Sequence, residues 1–267
     1  MREQYDLYIF DRIEHYKNSI SRDELMRLAD EAMSDPGDDS ENQYLLTELL
    51  VAAVVDDLIK RRLGIPRFES WRKSYPKRRA SQREPAKWGL DPSHLVSGLS
   101  PRVEAGDAVL VVGSGAESCA YLLAAHDAEV TFLDHDINVV NRAENRISVE
   151  SLSSTFEGMY VQFGEWVPVL SAEFVLVVID AGTLAGLTPG QRRVLLTELQ
   201  HFTAPGGLHA LVPDALGTGP EGFAGHYAAW ERETLPSPGR RLRGVPARGA
   251  LFVKPAVVDA QRRDVRA

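Results

Sequence analysis

Cysteine is almost missing: Cys119 is the only one in 267 residues. A single thiol excludes an internal disulfide and a multi-cysteine metal site, and it fits a reducing compartment. Long apolar runs are missing too. The longest helix-like segment, 41–62, contains the apolar run 49–55, but Glu48, Asp56, Asp57 and Lys60 interrupt it well short of the roughly 20 residues a membrane span needs. The first residues, MREQYDLYIFDRIEHYK, scatter acids through a stretch with neither the basic start nor the continuous apolar run of an export signal. A cytoplasmic protein with no membrane partner is expected. The seven histidines lack spacings such as HxxxH, so no metal site is expected, and no GxSxG elbow occurs.

What is present is the composition of an ordinary globular protein, 44% hydrophobic and 25% charged, which argues against wholesale disorder. The chain is long enough for one full domain and a smaller appendage. The net charge of −8 hides a segregation: residues 1–59 carry fifteen acids and five bases, whereas 60–87 carry eleven bases and two acids. Such a basic block is either a nucleic-acid surface, with Trp71, Tyr75 and Trp88 to stack bases, or the half of an appendage that pairs with its acidic half. The acidic remainder of the chain favours the second reading.

Residues 1–63 read as helical. Tyr5, Ile9, Ile13, Tyr16 and Ile20 recur at the spacing of one helix face. Ser21 with Glu24, and Ser40 with Gln43, stand in capping-box register, and Gly64 and Pro66 stop the helix that follows the second pair. Residues 64–100, rich in proline and bases, read as irregular structure with short helices. From Asp107 onward, strands alternate with helices: AVLVVG, AEVTFLD, EGMYVQFG, AEFVLVVID and GGLHALVP as strands; ESCAYLLAAH, INVVNRAENRIS, TPGQRRVLLTELQHF and GFAGHYAAWERETL as helices. RRLRGVP and GALFVKP suit a closing hairpin. The expected fold class is α/β, a mainly parallel sheet covered on both faces, with ligands at the carboxyl ends of its strands. Residues 1–95 are expected to form a helical N-terminal appendage with a basic C-terminal part, and 96–267 the α/β domain.

The first strand ends at Gly113, and GSGAES then leads into a helix, so its amides can face an anionic group and its glycines clear the approach to backbone. Alone, this pattern suits a tight strand-to-helix turn equally well. Asp134 ends the second strand, where a carboxylate can accept both hydroxyls of an adenosine ribose, or else cap the helix starting near Ile137 in competition with Asp136.

Over about residues 105–255 the chain resembles the class I S-adenosylmethionine (SAM) dependent methyltransferases. VLVVGSGAES is similar to that family's glycine-loop motif, Asp134 to its ribose-binding acid, and FGEW to its adenine-binding segment. EFVLVVIDAGTL with LTPGQRRVLLTELQHFTAPGG is similar to its fourth strand, the helix after it and the turn before strand five. The acid stands 21 positions after Gly113, as in that family. The resemblance implies a Rossmann-like class I methyltransferase sheet, mostly parallel with a closing antiparallel hairpin, and SAM as cofactor. It also implies that Gly113, Ser114 and Gly115 border the methionine part, that Asp134 binds the ribose, and that Glu165 accepts from the adenine amino group. Trp166 is then expected over the ring unless it is a plain core aromatic, and His135 beside the adenosine unless it is merely exposed.

Three positions depart from the pattern. Val111 stands where an acid usually helps hold the ligand's ammonium group, Glu117 replaces the third glycine, and Val175 replaces an acid early in strand four; Glu117 or Asp180 is the candidate to restore the charge. Methyl transfer is an in-line displacement that needs alignment more than a base. Where a proton must leave the acceptor, Asp180, His226, Tyr227 and His94 are candidates, the histidine at 226 otherwise being a partly exposed helix residue. IDAGTL after strand four is not the motif of amino methyltransferases of nucleic-acid bases, so the expected acceptor is a small molecule, with the helical appendage suited to a lid. The alternatives are a non-catalytic binding or scaffold protein on the same fold, and an RNA-directed methyltransferase using the block 60–87.

Overall fold

In the computed structural model, which describes residues 1–34, 47–152, 155–170, 173–213, 219–233 and 249–256, the apolar stripe of α1 (Arg2–Ser19) turns inward. Ile13 is buried with Leu28 of α2 (Arg22–Ser34) and with Val55 and Ile59 of α3 (Thr47–Arg62), and Ile9, Tyr16 and Ile20 pack against them. The Ser21 hydroxyl accepts from the Glu24 amide at 3.2 Å and so starts α2. The second capping pair, Ser40 and Gln43, lies outside the described residues. The chain divides into two units, Met1–Arg78 with Ser148–Ser153 and Arg79–Ile147 with Ser154–Ala267.

The expectation of irregular structure over 64–100 fails at α4 (Phe68–Gln82), a 15-residue helix with Pro76 inside it. Proline removes an amide and crowds the preceding turn, so the propensity argument points the other way. Tertiary packing overrides it. Phe68, Trp71 and Tyr75 lie on one helix face, the Trp71 ring packs at a tilt against Tyr75 (centroids 4.4 Å apart) and Tyr5 (5.3 Å), and Arg78 covers the Tyr75 and Tyr8 rings. Short elements then follow as expected, a 3₁₀ turn at Pro85–Trp88 and α5 (Leu95–Leu99).

The second unit holds a seven-stranded sheet in the order β3-β2-β1-β4-β5-β7-β6. Its strands are β1 (Ala108–Val112), β2 (Glu129–Asp134), β3 (Phe156–Tyr160), β4 (Phe174–Asp180), β5 (Thr203–Val212), β6 (Glu231–Glu233) and β7 (Ala250–Val253). The first five pair in parallel, and β7 runs antiparallel to both β5 and β6. Helices α6 (Glu117–Ala125), α7 (Ile137–Glu150), α8 (Ala181–Ala185) and α9 (Pro189–Phe202) intervene. Continuous apolar runs place β1 and β4 at the centre, where Val109–Val112 and 177–179 are fully buried. This is the mostly parallel α/β sheet with an antiparallel end that the sequence implied.

One expectation near the end of the chain needs correction. GFAGHYAAWERETL is not one helix: a 3₁₀ turn covers Pro220–Tyr227, and Glu231–Glu233 is an edge strand. Its glycines, Gly222 and Gly225, and the docking of Phe223, Tyr227 and Trp230 on the core explain why an α-helix does not form. The antiparallel partner of GALFVKP is therefore β6 on one side and β5 on the other, while RRLRGVP lies outside the described residues.

A buried polar chain fixes this end of the sheet. Thr203 Oγ1 donates to the Leu199 carbonyl at 2.6 Å, so the His209 Nε2–H must donate to Thr203 Oγ1 (2.7 Å), and Nδ1 accepts from the Tyr227 hydroxyl (2.9 Å). Burial pushes the His209 imidazole down to about 3, so it stays neutral in the fold. Below its ordinary value near 6.5 the unfolded chain takes up a proton that the folded chain refuses. Stability is thus intact above pH 6.5 and is lost as pH falls toward 3, by up to about 1.4 kcal/mol per pH unit. Urea denaturation of His209→Gln at pH 6.5, 5.5 and 4.5 is expected to show a lower starting stability and a flatter pH slope than the natural chain; parallel slopes contradict the assignment.

Candidate functional site

The order of the strands reverses between β1 and β4, and the carboxyl edge at such a switch point is where α/β sheets bind ligands. There β1 ends at Gly113, whose φ of +93° lies in a region closed to most side chains. A 3₁₀ turn, Ser114–Ala116, links it to α6, and Ser114 and Gly115 face solvent. The turn also admits the chain's own residues. A Cβ on Gly113 would overlap Thr183 Oγ1 and lie 3.0 Å from Asp180 Cβ; one on Gly115 would overlap the Asp180 carboxylate, 2.6 Å from its Cγ.

Asp134, at the end of β2, is fully buried. Its Oδ1 accepts from the Asp136 amide at 2.8 Å, with the His135 ring 3.5 Å away, but its Oδ2 is buried with no hydrogen-bond donor among the described residues. Burial raises its affinity for a proton, opposed by the Asp136 amide. The competition over the helix cap is resolved: Asp136 Oδ1 accepts from the Asn138 amide at 2.8 Å and caps α7, which holds its carboxyl below the usual range. Asp134 is left with an unsatisfied oxygen that a capping role does not account for.

The remaining predicted residues fall in different settings. His135 is mostly exposed, with its ring 5.8 Å from Phe163. Glu165 and Trp166 lie on a tight turn after β3, where both amides donate to the Gln162 carbonyl. Trp166 is 59% exposed and so is not a core aromatic. Asp180 is buried and caps α8: Oδ1 accepts from the Gly182 amide at 3.1 Å, and Oδ2 from the Thr183 amide and hydroxyl at 3.0 Å each.

The proton-transfer candidates divide further. Tyr227 is committed to His209, with burial raising its pKa, and His94 Nδ1 accepts from the Val96 amide to start α5. His226 lies in the 3₁₀ turn, partly exposed, with its imidazole lowered by burial and then by Arg192 and Arg193. Cys119 is buried, and burial with the Asp180 charge pushes its thiol up to about 12, as fits a small apolar filler.

The departures from the family pattern also acquire places. Val111 is fully buried in the sheet. Glu117 is gripped at both oxygens by Arg142 of α7, at 2.7 and 3.3 Å, and accepts from the Tyr121 hydroxyl. Sequence reasoning missed this network; Arg142 falls on an exposed helix face with nothing local to name its partner. Val175 sits at the opposite, amino-terminal edge, lining a groove of about 400 Å³ with Leu99, Leu208 and Val253. In the basic block, Trp71 and Trp88 are buried, Trp88 donates to the Gln82 carbonyl, and Arg79 and Arg83 pair with Asp127. Those aromatics offer no open stacking face.

No protein-family model matches the chain, and no curated protein does. Solved structures do. The glycopeptide N-methyltransferase MtfA, complexed with SAM, is 20% identical over 45% of this chain and 54% of its own, at a TM-score of 0.39. The N-methyltransferase NodS from Bradyrhizobium japonicum WM9 is 20% identical over 60% of this chain and 92% of its own, at 0.47. A TehB-like SAM-dependent methyltransferase from Corynebacterium glutamicum is 15% identical over 68% and 97%, at 0.48. The chain spans about half the length of MtfA.

Because the glycine turn leaves no room for side chains, Gly113→Ala is expected to cost about 2–4 kcal/mol. Gly190→Ala, in open space on α9, should be neutral or stabilising by up to about 1 kcal/mol. Urea denaturation reads both; equal stabilities for the two variants count against this packing. By strand order and by its antiparallel end, the second unit has a Rossmann-like α/β fold.

Proposed function

We propose that this protein is a SAM-dependent methyltransferase that transfers a methyl group in line to a small-molecule acceptor, with the activity in residues 96–267. The observation that carries the reading is the buried, donorless Oδ2 of Asp134 at the carboxyl end of β2, one strand from the solvent-facing glycine turn. A buried carboxylate oxygen without a donor is costly, and two ribose hydroxyls are donors suited to such a carboxylate.

The adenosine half of the cofactor fits the residues present. Asp134 would hold the ribose, His135 would flank it, and Glu165 and Trp166, both exposed on the turn after β3, would meet the adenine edge and face. Gly113, Ser114 and Gly115 would border the methionine part. When bound, SAM supplies an activated methyl group; the chain's own residues align the acceptor and exclude water. Asp180 already accepts three hydrogen bonds, so His226, whose lowered pKa keeps the imidazole neutral at pH 7, is the better candidate to take a proton from an acceptor.

A second reading, a binding or scaffold protein that keeps the fold without the chemistry, draws support from Glu117 being held by Arg142 and from Val111 carrying no charge. The RNA-directed alternative draws none from the buried Trp71 and Trp88. Among the described residues no helix is long and apolar enough to cross a membrane.

Calorimetric titration with SAM and S-adenosylhomocysteine tests the proposal. Micromolar binding is expected, weakened at least tenfold in Asp134→Ala, since a hydrogen bond to a charged group contributes about 1.5–3 kcal/mol. Equal affinity in the variant counts against the site. Methyl turnover on any acceptor ends the scaffold reading.

A further inference from the structure

Resting on the SAM reading above, we propose that Gln191, in the first turn of α9, is a positioning residue for the adenine: the stem of its side chain sets where the turn carrying Glu165 and Trp166 stands. Both of those side chains are exposed, and among the described residues neither is held by a hydrogen bond or an ion pair. Their placement therefore falls to the backbone of the turn. Both amides donate to the Gln162 carbonyl at 3.1 Å, so the two residues follow the segment that precedes them.

That segment is held at two points. Phe163 belongs to the core, and Gly164 follows with φ of +81°, in the region that side chains rarely adopt. Gly164 lies directly on Gln191: a Cβ there would overlap the Gln191 Cβ and stand 2.6 Å from its Cγ and 3.1 Å from its Cα. What faces the glycine is the stem and backbone of a helix, which cannot yield as a side-chain tip does. The seat is itself fixed. Gln191 Oε1 accepts from the Thr188 amide at 3.2 Å and from its hydroxyl at 2.9 Å, while the Thr188 hydroxyl accepts from the Gln191 amide at 3.3 Å. The next residue, Arg192, donates to the Leu184 carbonyl at 2.9 Å and to the Leu187 carbonyl at 3.0 Å. One turn of α9 thus fastens α8, which starts at the end of β4, and seats the turn after β3.

The test is calorimetric titration of S-adenosylhomocysteine and of its analogue with hydrogen in place of the adenine 6-amino group, the group from which Glu165 would accept. The natural chain should prefer S-adenosylhomocysteine about tenfold. Gly164→Ala, which forces the turn off Gln191, should narrow that ratio to about threefold or less. Gln191→Gly, which removes the stem from the other side, should do the same, and it serves alone if Gly164→Ala does not fold. Gln191→Met keeps the stem and gives up only the hydrogen bonds of the cap, so it should retain the natural ratio. A residue that merely capped the helix would weaken both ligands alike, with methionine and glycine equivalent.

A ratio unchanged in Gly164→Ala and Gln191→Gly, alongside binding that Asp134→Ala abolishes, overturns this inference and leaves the methyltransferase reading standing. A ratio narrowed as far in Gln191→Met as in Gln191→Gly overturns it too, as does a natural chain indifferent to the 6-amino group. A natural chain that binds neither ligand overturns both readings.

Discussion

A carboxylate oxygen buried without a donor is the constraint around which the carboxyl edge of this sheet is arranged. Asp134 is carried to that edge by β2, which pairs with β1 on one side and β3 on the other, and its side chain is fully buried there. The cap of α7 falls to Asp136, which leaves the Asp134 Oδ2 unspent. The turn after β1 is then free of side chains at Gly113 and Gly115, and α8 closes over it with a second buried acid, Asp180. Two fixed carboxylates stand at the ends of β2 and β4, Asp134 with one oxygen lacking a donor and Asp180 accepting three hydrogen bonds.

Much of this was legible in the residue order. Buried central strands read as unbroken apolar runs, and β1, β2 and β4 ended within a residue of where AVLVVG, AEVTFLD and AEFVLVVID placed them. The α9 start was legible too, since TPGQ gives Thr188 and Gln191 the reciprocal capping bonds observed. What failed did so where tertiary contacts overrule local signals. Pro76 argues against a helix over 68–82, yet the aromatic face of that helix stacks on α1 and holds it. GFAGHYAAWERETL reads as a helix, whereas its glycines and the docking of Phe223 and Tyr227 select a 3₁₀ turn.

The same limit applies to the site. Gly113, Gly115 and Asp134 could be placed at the ends of β1 and β2 because turn geometry and strand ends leave marks in sequence. The partners of Glu117 and Asp180 could not, because Arg142 and Thr183 reach them only through folding. The basic block illustrates it again: bases beside aromatics read as a possible nucleic-acid surface, but Trp71 and Trp88 are core residues, and Arg79 and Arg83 converge on Asp127.

The most direct test of the account is a crystal structure of the protein with S-adenosylhomocysteine. The account predicts the ribose hydroxyls on the Asp134 carboxylate, at about 2.7 Å, with Oδ2 no longer without a donor. A ligand bound elsewhere, or an Asp134 Oδ2 satisfied by the protein's own donor, would contradict it.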